Sequence, residues 1–157
     1  MAKLSGSIEV PLPPEVAWKH ASDLSRYKEW LTIHRVWRST LPDDIEKGTV
    51  VESIVEVKGM YNRIKWTVVR YKPPEGMTLN GDGDGVGGVK VKLMAKVQPA
   101  EEGSVVGFDV HLGGPALFGP IGIIVAAALR SDIDQSLHNF VTVFTRPDPG
   151  MNGGLHR

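Results

Sequence analysis

Hydrophobic positions along the chain follow three successive spacings. Leu4, Gly6, Ile8, Val10 and Leu12 alternate with more polar neighbours, which predicts a first strand ended by Pro13-Pro14. Glu15 to Ala21 predicts a short helix, with Pro14 and an acidic residue in its first turn, where a fixed φ and the helix dipole favour them. Asp23 is placed to cap a second short helix through Leu31, which carries Leu24, Tyr27, Trp30 and Leu31 at helical spacing.

From Ile33 to Leu112 the period falls to two. Val51, Ser53, Val55 and Val57 share a face opposite Glu52 and Glu56, and Ile64, Trp66 and Val68 share one opposite Lys65 and Thr67. In "VKVKLMAKV", Val89, Val91, Leu93, Ala95 and Val97 oppose Lys90, Lys92 and Lys96. Val106, Phe108, Val110 and Leu112 complete the set, opposite Asp109 and His111. This is the pattern of antiparallel strands with one dry and one wet face. Turn signals separate them at Asp43-Asp44 with Gly48, Lys58-Gly59, Pro73-Pro74-Glu75-Gly76, the glycine-rich 80–88 and Glu101-Glu102-Gly103.

The third spacing is helical again, from about Pro120 to Phe144. Ile133, Leu137, Phe140, Val141 and Phe144 form an apolar stripe. The first half, "IGIIVAAAL", has no polar side, so it is expected to be covered all round by sheet, loops, a ligand or another subunit. Residues 1–145 are read as a single domain. The Pro- and Gly-rich end, residues 146–157, is expected to be a disordered tail.

Composition narrows the function classes. Eighteen basic and eighteen acidic residues cancel, so no overall field draws the chain to nucleic acid or an anionic membrane. With no cysteine, disulfides, thiolate nucleophiles and thiolate metal sites are excluded. No secretion signal is legible in "MAKLSGSIEV", and a cytoplasmic location is expected. The longest apolar run, Ala116 to Leu129, is short of the about 20 residues a spanning helix requires and is interrupted by Gly119-Pro120, so no stable membrane insertion is expected.

Several segments resemble functional motifs. "NGDGDGVGG" contains GxGxxG at Gly83, Gly85 and Gly88, and Asn80, Asp82, Asp84 and Gly85 imitate the opening of a calcium loop. The fingerprint requires a following helix, but a strand pattern follows, and position twelve of the calcium loop is Val91 rather than a carboxylate. A hairpin turn is the expectation. The five histidines show no HxxxH or HExxH pairing, and Asp134 with His138 reads as a surface ion pair. Asp43-Asp44-Ile45-Glu46 reads as solvated turn carboxylates, and no GxSxG elbow occurs. No cofactor or metal is expected. Arg130, seven residues before Leu137, is placed near the apolar stripe and has two readings: a stem lying along the surface and paired with Asp134, or a polar anchor inside a pocket. The four tryptophans fit either core packing or an aromatic-lined cavity.

The order of strand, two short helices, antiparallel strands and one long final helix resembles the helix-grip fold of the START-like, or SRPBCC, superfamily. "IEVPLPPEVAWKHASDLSRYKEWL", with Ile8, Val10, Pro14, Glu15, Trp18, Asp23 and Trp30, is similar to the opening of its polyketide cyclase/dehydrase and lipid-transport-like group. "WKHASD", "KGTVVES" and "GPALFGPIG" resemble a mycobacterial subgroup described as toxins of type II toxin-antitoxin pairs. The resemblance implies an α+β fold, a curved antiparallel sheet wrapped around the last helix with a cavity between them. It also implies a small hydrophobic ligand (a lipid or polyketide-like molecule) and an antitoxin protein as partners. The residue pattern supplies the expected lining: Trp30, Trp66, Val68, Leu93, Phe108 and Val110 against Leu129, Arg130, Ile133 and Leu137. No catalytic motif carries over. A polyketide cyclase or dehydratase using Arg130 is the alternative to a binding protein, and nucleic acid is not an expected partner.

Overall fold

A computed structural model describes residues 2–83 and 88–145. The expected tail at 146–157, and Asp84 and Gly85 of the glycine-rich segment, lie outside them. The elements are β1 (Ala2–Val10), α1 (Pro14–Ala21), a 3-10 turn (Leu24–Arg26) running into α2 (Tyr27–Trp30), β2 (His34–Trp37), β3 (Val50–Val57), β4 (Met60–Lys72), β5 (Gly76–Gly83), β6 (Lys90–Ala100), β7 (Gly103–Gly113), a 3-10 turn (Pro115–Leu117) and α3 (Pro120–Thr145). The fold is α+β. Asp23 caps as expected, its Oδ1 accepting from the Ser25 N–H at 3.1 Å.

The seven strands form one curled antiparallel sheet in the order β1-β7-β6-β5-β4-β3-β2. Register aligns the dry positions into rows: Val51, Trp66, Gly81, Val91, Leu112 and Ala2 in one, Leu79, Leu93, Val110 and Leu4 in another. α3 packs on this concave face and touches β1, β7 and β3, spanning from one edge of the sheet to the strand next to the other. Its seat on β1 is Gly6, where a β-carbon would come within 2.9 Å of Ile133 Cγ2 and 3.3 Å of Leu137 Cδ1.

One end of the concave face is closed by α1, which packs on β6 and β7 and buries Ala17, Trp18 and Ala21 beside Val10, Val97 and Val106. The α2–β2 connection is pinned to α3 by polar contacts. The Thr32 N–H donates to Ser136 Oγ at 3.0 Å, and Asn139 Nδ2 donates to the Trp30 carbonyl at 3.3 Å.

The glycine-rich segment differs from its expected form. β5 continues through Asn80, Gly81, Asp82 and Gly83, so half of the supposed loop is strand, and Met77 and Leu79 before it are core. The hairpin is closed by the Gly83 N–H donating to the Val89 carbonyl at 2.8 Å, and Asp82 pairs with Lys90 across it. Gly88 is left-handed, at φ 67°, as a tight return requires.

Candidate functional site

Between sheet and α3 lies a cavity of about 270 Å³. Its floor is Ser53 and Val55 of β3, Ile64 and Trp66 of β4, Met77 and Leu79 of β5, Val91, Leu93 and Ala95 of β6, and Phe108, Val110 and Leu112 of β7. Val125, Leu129, Ile133 and Ser136 form the roof, and Leu24, Tyr27, Trp30, His34 and Trp37 close one end. Strand alternation explains the floor, because every second residue of each strand points to the same side. Met60 and Ile121 line the cavity and are also exposed, at 42% and 55%, so it reaches the surface between the β3–β4 hairpin and the start of α3.

Trp30, Trp66, Leu93, Phe108, Val110, Leu129 and Ile133 all border this space. Val68 and Leu137 do not: both are buried in packed core, Leu137 against Gly6. Of the two readings of Arg130, the pocket anchor is not the one found, since its side chain is exposed and does not border the cavity. The buried residues of α3 are Val125, Leu129, Ile133, Ser136, Leu137 and Phe140. At about 100° per residue their arc centres near Leu129 and Phe140, with Leu137 at its edge and Arg130 about 90° from the centre. The expectation took Leu137 as the middle of the stripe, and that offset turned Arg130 inward. The Asp134–His138 ion pair is also replaced: His138 Nδ1 donates to the Asp134 main-chain carbonyl at 2.8 Å.

The cavity contains polar atoms that the expected lining omitted. Trp66 Nε1 donates to Ser53 Oγ at 3.0 Å, Trp37 Nε1 to the Leu24 carbonyl at 2.8 Å, and the Tyr27 hydroxyl to the Ala21 carbonyl at 2.7 Å. Burial pushes the Tyr27 hydroxyl well above the ordinary tyrosine value, keeping it protonated. His34 is 5% exposed and sits against Trp37, with ring centroids 4.6 Å apart. Burial pushes its imidazole below the ordinary histidine value, and the Lys28 and Arg35 charges act in the same direction, favouring the neutral ring. Asn62 also borders the space. Stepping back by two from Ile64 would have found Asn62 and Met60, whereas His34 had no comparable signal. Among the described residues, no three His, Asp or Glu side chains gather where they could hold a metal ion.

Within this chain the first half of α3 is not covered all round by sheet and loops. Ile121, Ile123 and Ile124 are 55%, 73% and 52% exposed, beside Phe118 at 75%. Among the described residues no helix is long and apolar enough to cross a membrane.

Comparison with known proteins agrees with this architecture. The chain is 82% identical over 144 residues to the protein named Toxin Rv0910 of Mycobacterium tuberculosis H37Rv, covering 92% of this chain and 99% of that one. It is 39% identical over the same length to an uncharacterized protein of that organism, Rv1546. A START superfamily protein from Mycobacterium smegmatis has the same fold, with a TM-score of 0.69 at 15% identity over 91% of this chain and 99% of the other. The sequence model of one family, "Polyketide cyclase / dehydrase and lipid transport", matches residues 1–145, and the chain belongs to that family.

Proposed function

We propose that the protein binds one small lipophilic molecule in the cavity between sheet and α3, with residues 1–145 acting as a single cytoplasmic domain around it. The observation that carries this reading is the cavity itself. An apolar cavity of about 150 Å³ holds benzene, and small-molecule sites start near about 300 Å³. At about 270 Å³, this one suits a two-ring aromatic or a chain of roughly ten carbons rather than a whole phospholipid. Trp30, Trp66, Leu93, Phe108, Val110, Leu129 and Ile133 are the proposed contact residues.

The test is saturable binding of N-phenyl-1-naphthylamine at one site per chain, together with native mass spectrometry of the purified protein. Leu93→Trp, which puts an indole into the empty space, is expected to remove probe binding while the chain stays folded. Binding that survives this substitution, or no binding at micromolar probe, refutes the reading.

A second reading, a toxin component held by an antitoxin protein, has support of a different kind. The highly similar M. tuberculosis protein is named a toxin, and the apolar side chains of Phe118, Ile121, Ile123 and Ile124 are exposed together. Co-expression with the product of a candidate antitoxin gene tests it. Growth inhibition relieved by that product, together with a complex that Ile123→Ser weakens, is the expected result. No growth effect and no complex removes the reading.

A further inference from the structure

At the closed end of the cavity the Trp30 indole carries a fully buried donor without an acceptor. Trp30 is 1% exposed, and its Nε1 has no hydrogen-bond partner among the described residues. Tyr27, Phe108 and Phe140 surround it, with ring centroids 5.2, 5.8 and 5.1 Å away. Of the other ring donors bordering the cavity, Tyr27, Trp37 and Trp66 are each engaged at 3.0 Å or less. Buried donors in native proteins nearly always have acceptors, so an orphaned one calls for an explanation. Among the described residues lining the cavity there is no Lys, Arg, Asp or Glu. A buried carboxylate would find no countercharge there, and a charge left unpaired in apolar surroundings is strongly disfavoured.

We propose that the Trp30 N–H is the recognition donor of this site. Its ligand is an uncharged lipophilic molecule with a carbonyl or hydroxyl oxygen at its inner end and hydrocarbon towards the mouth. This inference rests on the cavity-binding reading and adds a polarity to it. The orientation follows from where the ends lie. Trp30 packs on Phe140, while the mouth is at Ile121, nineteen residues or about 28 Å earlier along α3. His34, also lining the closed end and favoured as the neutral ring, adds polarity there without charge.

The test uses the full chain and three probes of nearly equal shape: 2-acetylnaphthalene, 2-ethylnaphthalene and 2-naphthoate. Affinities come from calorimetry, and the Trp30 indole N–H is followed in nitrogen-15 spectra, where only four indole signals occur. The ketone is expected to bind about tenfold more tightly than the hydrocarbon, the return on pairing a buried donor. The Trp30 proton should move downfield with the ketone alone, and Trp30→Phe should abolish the preference for the ketone over the hydrocarbon. Equal affinities with a stationary Trp30 signal overturn the inference and leave the cavity reading intact, because the N–H then keeps a water or faces a ring. Tighter binding of the naphthoate overturns the uncharged-ligand assignment. If neither neutral probe binds, the cavity reading falls and this inference falls with it. The wild-type titration decides by itself if Trp30→Phe does not fold.

Discussion

Gly81→Ala is a small change with a large expected effect. Gly81 lies in β5 between Trp66 and Val91 on the dry face, and a β-carbon there would come within 2.7 Å of Trp66 Cζ3 and 2.8 Å of both Trp66 Cε3 and Ile64 Cγ2. Its φ is not in the left-handed region, so the cost of alanine is steric rather than conformational. Carbon atoms settle at about 3.5–4.0 Å, so the indole must retreat by about 1 Å. That retreat breaks its 3.0 Å hydrogen bond to Ser53. A buried donor left unpaired costs about 1–3 kcal/mol, and overpacking a further 1–3. The gain from replacing glycine offsets about 0.4–1 kcal/mol. The net loss is about 1–5.5 kcal/mol, which at a urea slope of about 2 kcal/mol/M lowers the unfolding midpoint by about 0.5–3 M. The indole has only the cavity to retreat into, so hydrophobic probe binding should weaken as well. Urea titration of Gly81→Ala alone and in a Trp66→Leu background measures the coupling between the two positions. If alanine costs as much without the indole as with it, or leaves the midpoint unchanged, the proposed seat for Trp66 is wrong.

Three further outcomes follow from the same geometry. Arg130→Leu should leave probe affinity unchanged, because the side chain is exposed; a loss of binding would put the guanidinium back at the site. Phe140→Ala should cost about 3–5 kcal/mol in urea unfolding, since Phe140 is fully buried against Trp30 and Phe144, and a much smaller loss would mean that α3 is not gripped there. His34 has a folded pKa below its unfolded value, so the unfolded chain binds more protons and stability falls as pH drops from about 7 through 6. His20 is shifted in the same direction and adds to this slope, while Asp132, whose carboxyl burial pushes up, acts in the opposite sense at lower pH. His34→Phe should flatten the dependence of the urea midpoint between pH 7 and 6, and an unchanged slope would show that His34 is not its source.

The strands and the final helix were legible because their burial is one-sided, and one-sided burial leaves a period. Val91, Leu93, Val110 and Leu112 face the cavity as the alternation requires. β5 was missed because its second half is written in glycines and aspartates, residues that usually mark turns. Here Gly81 is present because Trp66 occupies the space a side chain would take. Arg130 was misplaced because a helical stripe fixes a face only to within its own width, and taking Leu137 as the centre was enough to turn the guanidinium inward. The orphaned Trp30 donor had no signal in the chain, since a missing partner is a property of three-dimensional neighbours. The exposed isoleucines of α3 were read as needing cover, and nothing in their spacing distinguishes cover by the same chain from cover by another molecule.

β1, residues 2–10, is hydrogen-bonded to β7, which begins at residue 103. A nascent chain therefore holds β1 without this partner until β7 has also left the ribosome, and closure waits on contacts of high sequence separation, which form slowly. Until then Leu4, Ile8 and Val10 are open to mispairing. A chain deprived of β1 would leave the edge of β7 bare for another molecule to extend.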